Sequence, residues 1–382
     1  MKKIITVIGA RPQIIKAAAI SRAIREHFAH QLQELIVHTG QHYDQNMSDI
    51  FFQEMGIPSP DYNLAVGSGN HGAQTAKMIE GLEQIILKEQ PNAVLLYGDT
   101  NSTLAGAVAA AKLHIPVVHV EAGLRSYNKS MPEEINRIMC DHASTLLFSP
   151  TQQGIDNLAK EGFDIHRKGP YSADKPGVFH CGDIMYDNSL YYAQHQGEND
   201  AFLHQLGVEK NKYILVTVHR DHNTDVPERL SAIVRALVDI ADQSGQKIIL
   251  PLHPRTRKKL AEIDAGKWDE QLRNNAAIQI IDPASFLEMI GLESNCSFII
   301  TDSGGVQKEA FFFQKPCVIL RPQTEWVEIV ANGNAQLADA DYERIRSAYA
   351  ALSAKKDFTW PALFGDGKAA QFICAQIDQY IA

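Results

Sequence analysis

Short apolar, β-branched segments alternate along this chain with longer segments whose apolar positions recur at helical spacing. In the first half, the pattern predicts strands at 3–8, 34–38, 92–96, 116–120 and 145–148. In the second half, it predicts strands at 213–218, 247–250, 278–281, 297–300 and 317–320. Helical segments separate them, for example 13–25, 72–88 and 227–242. This alternation is typical of parallel, doubly wound sheets, so the predicted fold class is α/β.

The predicted domain organisation follows from a break in the alternation. Residues 168–177 are rich in Pro, Gly and Ser, and we interpret them as a hinge. We therefore predict a first Rossmann-like domain at 1–176 and a second Rossmann-like domain at 177–365. The last helical segment, 366–382, has no strand after it and is predicted to return to the first domain. Two such domains are expected to face each other across a cleft.

Composition limits the class of partner. The net charge is −9 and no basic stripe is present, which argues against nucleic acid. No apolar run is long enough to cross a bilayer, and the N-terminus leads directly into a strand, so we expect no membrane partner and no signal peptide. The five cysteines are scattered and form no C-x-x-C pair, which favours reduced thiols in the cytoplasm.

The sequence also lacks the motifs of common cofactors. No G-x-G-x-x-G follows the first strand, which weakens the case for a dinucleotide. His219, Asp221 and His222 lie too close together on one loop for a convincing metal site. We therefore predict no cofactor and no metal.

The strand at 297–300 leads into a turn that is suited to an anion. Ser303, Gly304 and Gly305 open a helix, so unpaired backbone N–H groups point outward at the positive end of the helix dipole. The Ser303 hydroxyl adds a donor, and Glu309, one turn later, can accept from sugar hydroxyls. The turn predicts a phosphate and ribose site. The alternative is an ordinary capped helix with a glycine-rich turn.

Other polar residues also follow predicted strands, at the sheet edge where ligands bind in open α/β folds. In the first half these are three carboxylates and two cations: Asp99, Glu121, Glu133, Arg11 and Lys16. In the second half they are His219, Arg220 and His253. These residues also have structural alternatives. Asp99 and Glu133 could cap helices, and Glu121 could simply pair with Arg125. His219 could be a buried core residue, and His253, with Arg255 and Arg257, could form a solvated face.

Motifs containing these residues resemble the non-hydrolysing UDP-N-acetylglucosamine 2-epimerase family over essentially the whole chain. In order, they are Gly9-Ala10-Arg11-Pro12, Gly98-Asp99-Thr100, Val120-Glu121-Ala122-Gly123-Leu124-Arg125, Pro132-Glu133-Glu134-x-Asn136-Arg137, His219-Arg220 and Thr301-Asp302-Ser303-Gly304-Gly305-x-Gln307-x-Glu309. The resemblance implies a glycosyltransferase-B-like fold, in which the second domain, 177–365, binds UDP, and a homodimer. It also implies an isomerase that inverts C2 of a UDP-sugar by anti elimination of UDP to a glycal, followed by re-addition.

The resemblance further implies roles for individual residues. The implied acid/base set is Asp99, Glu121, Glu133 and His219, and it leaves open which carboxylate serves which face of C2. The set that would bind the UDP-sugar is larger: Arg11, Lys16, Arg125, Arg137, Arg220, His253, Phe286, Ser303, Gly304, Gly305, Glu309 and Trp326.

Two segments depart from the family pattern and bear on the substrate. Where the UDP-N-acetylglucosamine enzymes usually carry T-E-R-P-E, this chain has Thr324-Glu325-Trp326-Val327-Glu328. The loop that helps bind a second, allosteric UDP-N-acetylglucosamine in bacterial members contains Gln41, His42 and Asp44 here. Both departures resemble the subgroup acting on UDP-2,3-diacetamido-2,3-dideoxyglucuronate, which is the expected substrate. UDP-N-acetylglucosamine is the first alternative, followed by a UDP-sugar glycosyltransferase and a non-catalytic nucleotide-sugar sensor.

Overall fold

The chain forms two compact units. The computed structural model describes residues 1–41, 52, 55–194 and 196–381. The first unit combines Met1–Asn188 with Ala362–Ala382, and the second is Ser189–Pro361. Each unit is built on its own parallel sheet.

The first sheet contains β1 (Lys2–Ile8), β2 (Leu32–His38), β3 (Tyr62–Asn63), β4 (Ala93–Tyr97), β5 (Val117–Val120), β6 (Leu146–Ser149) and β7 (Gly177–His180). Neighbouring strands run parallel in the order β3-β2-β1-β4-β5-β6-β7. The helices between and after them are α1 (Arg11–His27), α2 (His71–Glu89), α3 (Asn101–Lys112), α4 (Pro132–Ala143), α5 (Gln152–Lys160) and α6 (Ile184–Ala193).

The strand order reverses between β1 and β4, which is the position where open α/β sheets bind ligands. All five residues of β4 are buried, as expected for a central parallel strand covered on both faces. The register pairs Tyr97 with Val120, so Gly98 and Glu121 leave neighbouring strands side by side. The sheet thus brings two motif segments to one edge.

The second sheet contains β8 (Tyr213–Thr217), β9 (Lys247–Pro251), β10 (Ile278–Ile281), β11 (Phe298–Thr301), β12 (Cys317–Ile319) and β13 (Ala335–Leu337), in the parallel order β10-β9-β8-β11-β12-β13. Its helices are α7 (Gln196–Gln205), α8 (Asp221–Thr224), α9 (Pro227–Ser244), α10 (Pro254–Glu262), α11 (Lys267–Asn274), α12 (Phe286–Asn295), α13 (Gly304–Phe312), α14 (Val327–Ala331) and α15 (Tyr342–Ala354). A 3-10 turn, Ile263–Gly266, precedes α11. The last helix, α16 (Ala369–Tyr380), belongs to the first unit.

The predicted architecture of two parallel α/β sheets is confirmed. Every predicted strand lies within two residues of an observed one. In the part of the chain that the structure describes, no helix is both long and apolar enough to cross a membrane.

The division between the units differs from the predicted border at 176. The segment interpreted as a hinge, 168–177, ends at the start of β7, which pairs with β6 and so extends the first sheet. The chain stays in the first unit as far as Asn188 and returns to it at Ala362. The Pro- and Gly-rich composition therefore marks a loop before an edge strand, because such residues are equally suited to any irregular connection.

Candidate functional site

Glu121 follows β5 in the left-handed backbone region, and its carboxylate lies beside Gly98. Its φ is 72° and the residue is 8% exposed. Lys16 of α1 donates a hydrogen bond to Oε2 of Glu121. If residue 98 had a side chain, its Cβ would lie 3.2 Å from that oxygen and 3.3 Å from the Lys16 Nζ. Because Gly98 has none, the ion pair can lie against the end of β4. A non-glycine residue with such a φ is strained, and strain of this kind collects at functional sites.

Asp99, which follows β4, pairs with Arg137 of α4. Arg137 also donates to Glu134 at 3.0 Å. Glu134 is 1% exposed and accepts the backbone N–H groups of Ser126 and Tyr127, each at 2.9 Å. Burial acts to raise the pKa of Glu134, but these donors and Arg137 hold it below its usual range. Glu134 therefore acts as a fixed anion that orients Arg137 toward Asp99.

The other two charges predicted at this edge are exposed. Glu133 lies in the first turn of α4, where a carboxylate complements the helix dipole, and Arg11 begins α1. Behind them lies Gln13, which the motifs do not single out and which is buried. Its Oε1 accepts from the Gly9 N–H and its Nε2 donates to the Tyr97 carbonyl, both at 2.9 Å. Gln13 thus ties the turn after β1 to the end of β4.

A buried charge network lies behind the same strand ends. His119 of β5 is fully buried; its Nδ1 is 2.7 Å from Oδ1 of Asp141, and its Nε2 is 2.8 Å from the carbonyl oxygen of Gly98. Nη1 of Arg125 is 2.7 Å from Oδ2 of Asp141. Nε and Nη2 of Arg125 donate to Glu161 at 2.6 and 2.8 Å. Positive and negative groups therefore alternate through this network.

This network bears on the prediction that Arg125 binds substrate. The Arg125 side chain is 1% exposed, and its guanidinium is held by Asp141 and Glu161. Glu121, offered as its alternative partner, pairs with Lys16. The geometry thus favours a structural role for Arg125.

In the second unit, α13 begins directly after β11, with Ser303 as its N-cap. The Ser303 hydroxyl accepts from the N–H of Val306 at 3.5 Å. Two guanidinium groups lie beside this first turn, since a Cβ at Gly304 would stand 3.7 Å from Arg220 Nη2 and 3.7 Å from Arg321 Nη1. A helix N-terminus with two adjacent guanidiniums is suited to a diphosphate.

Arg321 was not predicted from the sequence as a site residue. It follows β12, the other sheet neighbour of β11, by two residues. In this structure its guanidinium makes a two-point pair with Glu325, at 2.8 and 2.9 Å. The only available sequence signal was a cation after a predicted strand.

Buried Asp302 organises the loop after β8. Its carboxylate accepts the backbone N–H of His219 at 3.1 Å, that of Arg220 at 3.0 Å and the side chain of Asn223 at 3.1 Å. Nδ1 of His219 lies 3.3 Å from Oδ1 of Asp302, while the His219 side chain is 47% exposed. The alternative of a buried core histidine is therefore excluded.

Trp326 directs its indole N–H toward α13. Nε1 donates to the carbonyl of Gly304 at 2.9 Å, and the ammonium of Lys308 lies 4.4 Å from the centre of the ring. Lys308 is 5% exposed. Thr324 accepts the Trp326 N–H at 3.1 Å, and its hydroxyl donates to Oε1 of Gln307 at 2.5 Å. The segment from Thr324 to Trp326 therefore braces the first two turns of α13.

Glu309, the predicted ribose ligand, lies one turn into α13. A Cβ at Gly305 would stand 3.7 Å from its Oε2. Glu293 of α12 is 1% exposed, and its burial and the charge of Glu309 raise the pKa of Glu293 well above its usual value. Burial and the nearby Glu309 carboxylate therefore favour the protonated, neutral form of Glu293.

Two other predicted ligands follow strands farther from β11. His253 follows β9 and caps α10, accepting the Arg255 N–H at 3.3 Å through Nδ1. Phe286 follows β10 and packs edge-on against Tyr192, with ring centres 5.6 Å apart. Because β9 and β10 are the second and third neighbours of β11, the sheet does not bring these residues to the Ser303 turn.

The predicted second-site loop is described at Gln41 only. Its Oε1 accepts from the hydroxyl of Ser102 at 2.8 Å. His42 and Asp44 lie outside the described residues. Across the rest of the chain, where the structure describes the side chains, no group of three or more His, Cys, Asp or Glu could hold a metal ion.

Comparison with known proteins gives consistent matches. The family model described as UDP-N-acetylglucosamine 2-epimerase matches residues 23–378. The chain is 48% identical over 380 residues to the UDP-2,3-diacetamido-2,3-dideoxy-D-glucuronate 2-epimerase of Pseudomonas aeruginosa, covering 100% of this chain and 99% of that one. It is 47% identical over 368 residues to a UDP-N-acetylglucosamine 2-epimerase homolog of Methanococcus maripaludis, covering 96% of this chain and 97% of that one. The crystal structure of Methanocaldococcus jannaschii UDP-GlcNAc 2-epimerase with UDP-GlcNAc and UDP is similar at a TM-score of 0.80, 40% identity and 99% coverage of each chain.

Proposed function

The chain belongs to the UDP-N-acetylglucosamine 2-epimerase family, and on that premise we propose that it inverts C2 of a UDP-2-acetamido sugar. The observation that carries the proposal is the pair of carboxylates, Asp99 and Glu121, that follow neighbouring strands β4 and β5. Each has its own cation, Arg137 or Lys16. Two such carboxylates can take a proton from one face of a carbon and return one to the other.

The reaction requires a base at C2 and a site for the leaving group. The C2 proton has no adjacent carbonyl, so a carboxylate removes it while the C1–O bond to UDP breaks and a C1–C2 double bond forms. UDP then adds back to C1 of the glycal as a proton reaches the opposite face of C2. Glu133 and His219 complete the proposed acid/base set with Asp99 and Glu121. Groups of this kind contribute roughly 10²–10⁴-fold each.

We assign UDP binding to the first turn of α13. Its backbone N–H groups and the Ser303 hydroxyl donate to phosphate oxygens, and Arg220 and Arg321 neutralise their charge. In this assignment the diphosphate displaces Glu325 from Arg321, and Glu309 accepts from the ribose. The UDP-bound structure of a relative supports the choice of ligand.

The favoured substrate is UDP-2,3-diacetamido-2,3-dideoxyglucuronate. The Pseudomonas relative named for this sugar and Trp326 in place of the usual arginine both support it. The C6 carboxylate of this sugar needs a cation. Arg255 pairs with Asp221 and Asp225, and Arg257 with Asp282, so Arg220 is the preferred candidate, with its five N–H donors shared between this carboxylate and a phosphate oxygen. UDP-N-acetylglucosamine is the alternative, supported by the archaeal relatives.

The test is incubation with each UDP-sugar alone in deuterated water, followed by NMR. We expect both C2 epimers, deuterium at C2 and no accumulation of free UDP. The rate should depend hyperbolically on the diacetamido sugar without added UDP-N-acetylglucosamine. Efficient, sigmoidal turnover of UDP-N-acetylglucosamine would favour the alternative substrate. Turnover only with an acceptor, or UDP binding without exchange, would reject epimerisation in favour of a glycosyltransferase or a sensor.

A homodimer, implied by the family resemblance, and a cytoplasmic location, favoured by the five scattered cysteines, are also part of the proposal. Light scattering of the purified protein tests the dimer, and fractionation of cells tests the location.

A further inference from the structure

We propose that His119 is a permanently protonated positioning residue, which holds the end of β4 in place and supplies a fixed positive charge behind Asp99 and Glu121. The catalytic meaning of this inference rests on the proposed function. The charge state of His119 can be measured independently of any activity.

The two ring nitrogens of His119 both face groups that only accept hydrogen bonds. Nδ1 lies 2.7 Å from a carboxylate oxygen of Asp141, and Nε2 lies 2.8 Å from the carbonyl oxygen of Gly98. A neutral ring carries one N–H and would direct a lone pair at one of these oxygens. Because His119 is fully buried, water cannot relieve that repulsion. Two donating nitrogens, and therefore an imidazolium, satisfy both partners.

The proton does not belong to Asp141 instead. Oδ2 of Asp141 accepts from Arg125 Nη1 at 2.7 Å and from the backbone N–H of Gly123 at 3.1 Å, so the carboxylate has three donors when His119 is included. Burial acts to raise the pKa of Asp141, but His119 and Arg125 hold it below its usual range. A carboxylate with these donors remains ionised and stabilises the imidazolium.

Two titratable groups of α4, Cys140 and Asp141, act on His119 directly. Arg125, which follows β5, and Glu161, which follows α5, are linked to it through Asp141. Burial acts to lower the pKa of His119, but Cys140 and Asp141 outweigh it, and the pKa lies well above its usual value.

His119 is connected to both candidate catalytic carboxylates through the backbone. Its Nε2 holds the carbonyl of Gly98, the residue before Asp99, and the Gly98 N–H donates to Val120 at 3.0 Å. Gly98 has a φ of 60°, which glycine adopts readily, and the two hydrogen bonds hold both of its backbone polar groups. Glu121 lies two residues after His119 on the same strand connection. Loss of the charge should therefore alter both the position and the titration of this pair.

His38, the histidine that ends β2 in the same sheet, is an internal reference. It is also fully buried, but its Nδ1 accepts the N–H of Gly40 at 2.9 Å. Burial lowers the pKa of His38 to about 4. One sheet thus contains two buried histidines, of which we expect His119 to be charged and His38 to be neutral.

The first experiment is a long-range ¹H–¹⁵N spectrum of the unmodified protein labelled at histidine. His119→Gln and His38→Gln samples identify the two signals. Between pH 6 and pH 9, we expect two protonated ring nitrogens for His119 and one unprotonated nitrogen for His38. An unprotonated ring nitrogen at His119 would overturn the inference, whether or not the protein epimerises any sugar.

The second experiment compares pH profiles of kcat/KM for the unmodified protein and His119→Gln. Glutamine can donate to Gly98 or to Asp141, but it carries no charge. We expect kcat/KM to fall by about 10- to 100-fold and the acidic limb of the profile to move upward by about half a pH unit or more. His142→Gln, at a half-exposed histidine that contacts Glu161, is the matched control and should leave the limb in place.

A lower rate with an unchanged acidic limb would reduce His119 to a structural residue and overturn its proposed electrostatic role. If His119→Gln does not fold, the spectrum of the unmodified protein at pH 9 still decides the charge state, because ordinary exposed histidines are neutral there. A ring that keeps two protonated nitrogens at pH 9 supports the inference, and its absence from all fifteen histidines overturns it.

Discussion

The two sheets share one topology but differ in the chemistry of their functional edges. In the first unit, the turns after β4 and β5 present side-chain charges in pairs, Asp99 with Arg137 and Glu121 with Lys16. In the second unit, the turn after β11 presents the backbone N–H groups of α13, flanked by two guanidiniums. The same strand–turn–helix element can thus serve proton transfer through side chains or anion binding through the backbone.

This difference predicts where mutations act. A carboxylate that exchanges a proton in the transition state has no substitute, so its loss should lower kcat. An anion site with many donors loses only part of its ground-state binding when one side chain is removed, so the affinity for UDP should change first.

The largest expected effect is on the first edge. Asp99→Asn and Glu121→Gln should each lower kcat by about 100-fold or more, because the amide cannot accept the proton. The affinity for UDP, measured by calorimetry, should remain within about twofold, because neither residue is proposed to contact the diphosphate.

Asp156→Asn is the control for these variants. Asp156 lies on α5, is exposed and accepts from Gln152 at 2.8 Å, so its amide should leave kcat unchanged. Near-normal turnover in Asp99→Asn or Glu121→Gln would remove that residue from the acid/base set.

An intermediate effect is expected at the second edge. Ser303→Ala and Glu309→Ala should weaken UDP binding by about 5- to 30-fold, the equivalent of one or two hydrogen bonds. Calorimetry with UDP alone measures this effect without any turnover.

Ser303 also caps α13, so its loss must be separated from simple destabilisation. Ser285→Ala removes the matching cap of α12, where the hydroxyl accepts from Glu288 at 3.2 Å. Both serine variants should lose about 1 kcal/mol of stability, but only Ser303→Ala should lose affinity. Equal UDP affinity in the two would contradict the anion site.

The strands were predictable because parallel strands are buried on both faces and appear as continuous apolar runs. The strands that were missed carry a weaker signal. β3 and β13 have two and three residues, and β7 is an edge strand with a half-exposed pattern. The predicted border at 176 lies just before β7, because without that strand the loop that precedes it resembles a link between units.

Charges at strand ends were visible in the sequence, but the buried groups that hold them were not. His119 lies inside an apolar strand, and Gln13 inside an apolar helix, so neither stands out from local pattern. Arg125 shows the reverse case. Its charge is visible, while its partners, Asp141 and Glu161, come from other elements that only the fold brings near.

The smallest expected effect concerns Trp326, which connects the anion site to the buried cation Lys308. Trp326→Phe keeps a ring over the ammonium but loses the bond to Gly304, so UDP affinity should fall by only about 2- to 5-fold. Trp326→Arg should be worse, because it replaces the ring with a like charge beside an ammonium that is 5% exposed. Lys308→Glu combined with Trp326→Arg should recover most of that loss, since the pair becomes oppositely charged. Strictly additive effects on thermal stability and UDP affinity in this double-mutant cycle would show that the two residues do not interact, and that Trp326 does not brace the turn through Lys308.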